Sequence, residues 1–393
     1  MKKLTVSLIL VSMSFLVGCK DYSPFVRFEQ RIMVQLFGID WEEDMYTVSI
    51  QFSMGTSSNA METENDLKTI TGKGVSLYAA IRDAQESVGK EFFFTHTQVV
   101  FLGEGVLNND VIKALEDYLY YCDELCTAYV AGTYGKAEDI LALTYKDEYS
   151  AKNKLFLVLE NAKSIGVYPV YTIYETQINA YNKSESCFVP MIRVEESSGN
   201  ENDGGAGEES GSNATGDNKN SEHPKVLTDG GALVINGKVA AYMNETKCEG
   251  LSLFINACDT SSIEFLSECD RTGVAVYSLK TLNKKTKIIP SYNGKNLTFN
   301  IRFTAKVDNA SNHVINCAVI DNNTDTFRIP AENMIELKMR DCVDLSTKLG
   351  CDIFNLEDIL KHYDYSSWLK VEDDWQEMLK NAVYTYHVDI RII

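Results

Sequence analysis

The chain has 393 residues, of which 37 are Lys or Arg and 56 are Asp or Glu, giving a net charge of −19. That balance excludes a nucleic-acid wrapper, because each phosphate contact needs a cation. It also argues against a surface drawn to anionic lipid headgroups, while 45% apolar residues suffice for two or three domains.

The first element is a leader. Lys2 and Lys3 precede an uncharged, largely apolar run from Leu4 to Val17, which ends in Leu16-Val17-Gly18-Cys19. This reads as a charged start, a short apolar core and a small-residue cleavage site. The run is shorter than the ~20 residues a membrane-spanning helix needs. A cysteine immediately after Leu-Val-Gly matches the bacterial lipobox. Residues 1–18 are thus expected to be a lipoprotein signal peptide. Cys19 is the expected lipidation site, its acyl chains holding the protein on the outer face of a membrane. The competing reading is an ordinary secretory peptide that happens to carry a cysteine. Cleavage removes Lys2 and Lys3 and leaves a net charge of −21. No later run approaches a membrane span, so the body is expected to be soluble.

Tyr46, Val48, Ile50, Phe52 and Met54 alternate with polar residues, the period-two pattern of a half-buried strand. Leu77, Ala80, Ile81, Ala84 and Val88 share one helical face, with Ser76 placed to cap it. Val99 to Leu102 reads as a short buried strand ending at Gly103, and Asn109 as the cap of a helix carrying Ile112, Leu115, Tyr118 and Leu119. A strand from Cys126 to Gly132 follows, then helices over Ala137–Leu143 and Ser150–Ile165. This alternation predicts a mixed α/β first region, 19–194.

Residues 195–224 are dominated by Ser, Gly, Asn, Glu and Asp, with Ala206 and Ala214 the only aliphatics after Val194 and before Val226. Such a segment buries too little apolar area to offset ordering entropy, so a disordered acidic loop is expected. Its Asn213-Ala214-Thr215 fits a glycosylation sequon, which is usually idle in a bacterium.

A third region, 225–393, opens at Gly231–Lys238, where Asn236-Gly237 signals a tight hairpin. Leu297, Phe299, Ile301 and Phe303 mark another two-faced strand. Ile335, Met339, Cys342, Leu345 and Leu349 define an amphipathic helix stopped by Gly350. Tyr384, Tyr386, Val388, Ile390 and Ile392 form a closing strand. The fold class expected is α+β, mixed and multi-domain, with a C-terminal sheet packed on a long helix.

Candidate chemistry is sparse. Besides Cys19, the cysteines at 122, 126, 187, 248, 258, 269, 317, 342 and 351 are odd in number. Cys122 and Cys126 share a helical face, yet no second ligand pair lies at zinc spacing, and buried unpaired thiols are the expectation. Gly72-Lys73-Gly74 lacks the spacing of a phosphate loop and reads as a turn. His96, His313, His362 and His387 stand singly, with no serine in a nucleophile-elbow setting. Glu42-Glu43-Asp44 reads as a hairpin turn, and Glu372-Asp373-Asp374 as the acidic start of a helix. Asp321-Asn322-Asn323-Thr324-Asp325 is rich in oxygen but lacks the Gly and terminal Glu of an EF-hand. Trp368 and Trp375 lie seven apart, suited to packing a helix on a sheet, with a carbohydrate platform the lesser alternative. No catalytic, cofactor or metal residue can be named, and the expectation is a non-enzyme without cofactors.

In order, the motifs resemble the Ger(x)C family, the lipoprotein C subunits of spore germinant receptors. The resemblance is carried by Cys19, Gly38-Ile39-Asp40, the Gly72–Arg82 segment and His96-Thr97-Gln98-Val99-Val100-Phe101-Leu102-Gly103-Glu104. Near the end it continues through Asp352-Ile353-Phe354, Trp368 and Trp375. It departs in Lys20-Asp21-Tyr22, where the family often has a Trp-Asp pair, and in the closing Ile390-Arg391-Ile392-Ile393. The resemblance implies about three domains of the family's own architecture. It also implies a place at the inner spore membrane and assembly with integral-membrane A and B subunits, which bind small germinants. A solute-binding lipoprotein of a transporter is the alternative from another class. A lipid-anchored hydrolase is a third reading.

Overall fold

A computed structural model describes residues 31–53, 67–122, 127–142, 151–195, 225–255, 261–269, 273–313 and 325–392. Cys19 and its leader, the acidic stretch 196–224, Cys126, Cys258, Cys317 and the 321–324 cluster lie outside the described residues.

Two sheets organise the chain. The first contains β1 (Arg31–Glu42), β2 (Met45–Ser53), β3 (Leu67–Gly74), β4 (Glu91–Phe93), β5 (Val99–Leu102), β6 (Tyr129–Thr133), β7 (Ser186–Glu195), β8 (Lys225–Ile235) and β9 (Lys238–Met243). Their order is β3-β2-β1-β5-β6-β7-β8-β9, with β4 on β1. The central β1, β5, β6 and β7 are parallel, and antiparallel strands flank them on both sides. The strands on either side of the acidic segment, β7 and β8, are thus neighbours in one sheet. The expected start of the third region at residue 225 falls inside this sheet, because the β8–β9 hairpin completes its edge.

Both hairpins end as the sequence signalled. Glu43 and Asp44 take φ of 51° and 60°, and Asn236 and Gly237 take 51° and 77°, the left-handed pair that matches strand twist.

Helices cover both faces of this sheet. On one face lie α1 (Leu77–Val88), α2 (Glu104–Asn109), α3 (Val111–Cys122) and, past the other face's two helices in sequence, α6 (Ile173–Ala180). These bury Leu77, Ala80, Leu115, Tyr118 and Ile173 against Phe37, Ile39, Val100 and Leu102. The other face carries α4 (Ala137–Leu141) and α5 (Ala151–Ile165), burying Ile140, Leu141, Leu155 and Leu159 against Leu36, Val99, Phe101 and Ala131. Strands buried on both faces read as continuous apolar runs, as Val99-Val100-Phe101-Leu102 does.

Local chemistry explains the helix starts. The Ser76 side chain accepts from the Ala79 N–H at 3.2 Å, and Gly89 closes α1 at φ 68°. The cap expected at Asn109 is instead Asp110, whose carboxylate accepts from the Lys113 N–H at 3.0 Å. Gly72-Lys73-Gly74 is not a turn but the end of β3. A Cβ at Gly72 would sit 2.2 Å from the Ala80 carbonyl oxygen, and one at Gly74 2.5 Å from the Ala80 nitrogen. The glycines let α1 lie directly on the strand.

The second sheet comprises β10 (Ser261–Cys269), β11 (Gly273–Tyr292), β12 (Leu297–His313) and β13 (Val383–Ile392), in that order. The first three are antiparallel, whereas β12 and β13 are parallel. Between β12 and β13 run α8 (Asp325–Leu349), α9 (Leu356–Tyr363), α10 (Tyr365–Trp368) and α11 (Trp375–Lys380). Ile335, Met339 and Cys342 of α8 are fully buried against Phe299, Ile301 and Phe303 of β12. Gly350, at φ 69°, ends α8 as expected.

The apolar core does not stop between the sheets. It passes through α7 (Glu245–Phe254), whose Cys248, Leu251 and Phe254 belong to the same cluster as α8. A Cβ at Gly250 would collide with the Lys338 backbone carbonyl, so the two helices touch backbone to backbone. The architecture is mixed α+β and multi-domain, with the C-terminal sheet packed on a long helix.

Candidate functional site at the junction of the sheets

The motifs that stood out in the sequence resolve into two buried carboxylates that cap helices. Asp40, at the end of Gly38-Ile39-Asp40, accepts from the N–H groups of Ala137 at 2.7 Å and Glu138 at 3.0 Å. Burial raises its pKa above the usual carboxylate value, against the pull of those two donors. A Cβ at Gly103 would collide with the Asp40 carboxylate, which accounts for the glycine after Leu102.

Asp352, of Asp352-Ile353-Phe354, repeats the arrangement at α9. Its two oxygens accept from Leu356 N–H at 2.9 Å and Glu357 N–H at 2.8 Å, and its side chain is wholly buried. Burial pushes this carboxyl up to about 6, opposed by the N–H groups of Glu357, Leu356 and Phe354. Asn355 supports the turn with φ 54°.

Around Asp352 the two halves of the chain are joined by polar contacts. Asn182 donates from Nδ2 to the Asp352 carbonyl at 3.2 Å, and Asn355 donates to Asn179 Oδ1 at 3.1 Å. The Glu357 carboxylate accepts from the Lys183 N–H at 3.0 Å, and burial raises its pKa. Lys183 donates to the Glu372 carbonyl at 3.2 Å and lies 5.1 Å from the Trp368 ring centre. Lys338 and Glu249 add a mostly buried ion pair between α8 and α7. These contacts make a junction, not a reaction centre. Its partners Asn179, Asn182 and Lys183 escaped the sequence reading because their spacing from Asp352 exists only in the fold.

The remaining candidates are dispersed. His96 and His387 are exposed, and His362 Nδ1 meets the Asp358 carbonyl of its own helix at 2.7 Å. Trp368 and Trp375 sit on separate short helices, not one continuous helix, with ring centres 5.5 Å apart, and each is 2% exposed. Burial rules out a carbohydrate platform there. Cys187, Cys248, Cys342 and Cys351 are free and buried, as expected, and burial raises the pKa of all four; Cys122 is buried as well. Among the described residues no group of three or more His, Cys, Asp or Glu is placed to hold a metal. A shallow open concavity is lined by Asn355, Asp358, Ile359, His362 and Tyr363, from α9 and the residue before it. No described helix is long and apolar enough to cross a membrane.

One surface feature was not foreseen. Tyr78 of α1 stacks on Tyr121 of α3 at 4.8 Å, and Tyr120 meets Tyr121 edge-on at 5.0 Å. All three rings are exposed, Tyr120 by 81%. In the sequence Tyr120-Tyr121 merely ends a helix.

Residues 25–194 match the family model described as spore germination protein N-terminal domain, and residues 229–393 match spore germination B3/GerAC like, C-terminal. The chain belongs to the GerAC-like family of spore germination proteins. The two family models part at the acidic segment, although the first sheet continues to Met243. No curated protein matches the chain. Among solved structures it is similar to the crystal structure of the GerBC protein, at 15% identity and a TM-score of 0.52. That likeness covers 91% of this chain and 96% of that one, and it is a likeness of fold. In this GerAC-like chain the motifs that carry the resemblance are Asp40 and Asp352 caps, the Gly72 and Gly74 helix bed, and the buried Trp pair.

Proposed function

We propose that this chain is the lipid-anchored C subunit of a spore germinant receptor. It does no chemistry of its own. It assembles with the integral-membrane A and B subunits and helps trigger germination when small nutrients bind the receptor. The observation that carries this reading is the pair of family matches over 25–194 and 229–393, behind a lipobox at Cys19. The functional residues identified in the fold are caps and junction contacts, which suits a subunit whose work is assembly or signal passage. The exposed tyrosines at 78, 120 and 121 support that reading, since protein interfaces are enriched in such aromatic anchors.

The anchor is part of the proposal. Acyl chains on Cys19 hold the mature protein on the outer face of the membrane, the inner spore membrane in this reading, and raise its effective concentration for its partners. Cys19→Ala should release the protein from a membrane pellet after a high-salt wash. Retention equal to the wild type would refute the lipobox assignment. Recovery of A- and B-type subunits with the tagged chain tests the partnership itself.

A further inference from the structure

Among the described side chains of β11, β12 and β13, the outward face of the second sheet carries charge opposite in sign to the protein as a whole. In β11, β12 and β13 the buried set Thr286, Phe299, Ile301, Phe303 and Ile390 faces α8 or the core. The alternate residues point the other way. Lys287, Arg302 and His387 lie side by side across the three strands, and Lys306 lies beside Arg391. Lys285 is opposite Thr304, one row away. All of these side chains are exposed. Asp389, 3.9 Å from Arg391, is the one acid among the described side chains of these rows. Strand spacing near 4.8 Å and rise near 3.3 Å confine five full cations to a patch of roughly 10 by 20 Å.

The character of this face selects its partner. Between the cations stand Asn300, Thr304 and Thr385, and no aromatic side chain is described on these rows. Protein interfaces centre on aromatic anchors in pockets and are depleted in Lys. A Lys- and Arg-rich strand face with no aromatic anchor among its described side chains instead complements diffuse negative charge, as on a phospholipid surface.

We propose that this face lies against anionic phospholipid headgroups and orients the protein on its membrane. The proposal rests on the reading that Cys19 anchors the chain beside a bilayer. The net charge of −19 does not prevent it, because charges more than a Debye length away, about 8–10 Å, are screened. Net charge is a sum over the molecule, whereas headgroup attraction is set by the face that approaches. Composition argues against a surface drawn to anionic headgroups, and at this one face the proposal departs from that expectation.

The test uses the full mature chain with Cys19→Ala, so that no acyl group contributes. Its sedimentation with vesicles of phosphatidylcholine alone is compared with vesicles that also contain phosphatidylglycerol. Binding is expected only with phosphatidylglycerol, and it should disappear at high salt. Lys287→Glu combined with Arg302→Glu should weaken it more than ten-fold, at about 1 kcal/mol per charge near the surface. Lys68→Glu with Lys73→Glu, on exposed positions of β3, should bind like the unmodified face. Circular dichroism of each variant confirms that it is folded. Absence of binding to phosphatidylglycerol vesicles, equal binding to phosphatidylcholine, or undiminished binding of the Lys287/Arg302 variant would overturn the proposal. Because no acyl chain is present, these failures are separate from failure of the Cys19 anchor, which the salt-washed fractionation reads.

Discussion

The two sheets solve the same problem differently. The first is covered by helices on both faces, so its central strands are mostly apolar, β5 entirely so, and the charge it buries on β1, Asp40, is held by helix N–H groups. The second is covered on one face by α8 and the short helices after it, so its strands alternate and leave a row of cations open to solvent. Full coverage makes a scaffold, while half coverage leaves a face for something else. The polar junction around Asp352 and the shared apolar cluster keep the half-covered sheet in fixed relation to the scaffold.

The sharpest way to separate the two layers is to remove a side chain on which only the second depends. Trp375→Ala empties a fully enclosed site between α11, Trp368 and the core, and should cost about 3–5 kcal/mol. Amide exchange should rise in β12 and β13 well before β5 and β6. An equal rise in both sheets would show that they unfold as one unit.

A smaller effect is expected at the junction. Asp352→Asn leaves one of two backbone donors opposite an amide NH2, for a loss of about 1–3 kcal/mol near neutral pH. The folded carboxyl holds its proton to about pH 6, above the usual value of 3.8. A carboxyl with a raised folded pKa contributes stability that is complete below about pH 4 and is lost as pH rises through 6. The wild type should therefore gain on Asp352→Asn in denaturant titrations as pH falls from 7 to 4. A gap independent of pH would contradict the buried-acid account. Smallest is Ser76→Ala, which removes the α1 cap in the scaffold and should cost about 1 kcal/mol with no change in the second sheet.

Much of the fold was legible because it is written in local signals. The Ser76 cap, the Asn236-Gly237 turn, the alternation of Leu297 to Phe303 and the stop at Gly350 each depend on a few adjacent residues. The cap near 109 slipped by one position because Asn109 and Asp110 are both competent, and only the helix before them decides which is free. Gly72 and Gly74 read as a turn because the helix that requires them closes on the strand from outside the local window. The Trp pair at spacing seven suggested one helix, but the chain folds into two short ones that stack the rings edge-on. For the same reason the junction was hidden: Lys183 and Glu357 are 174 positions apart. The cationic face was hidden by the sum of charges, since a total of −19 gives no sign of where Lys287 and Arg302 will meet.

The account rests on the claim that this chain is a receptor subunit at a membrane. Affinity purification of the tagged protein from spore membranes, with mass spectrometry of what accompanies it, tests that claim most directly. Recovery of multi-span A- and B-type subunits, together with defective germination when the gene is deleted, is the predicted result. Recovery of a permease with an ATPase, or of no membrane partner, would contradict it.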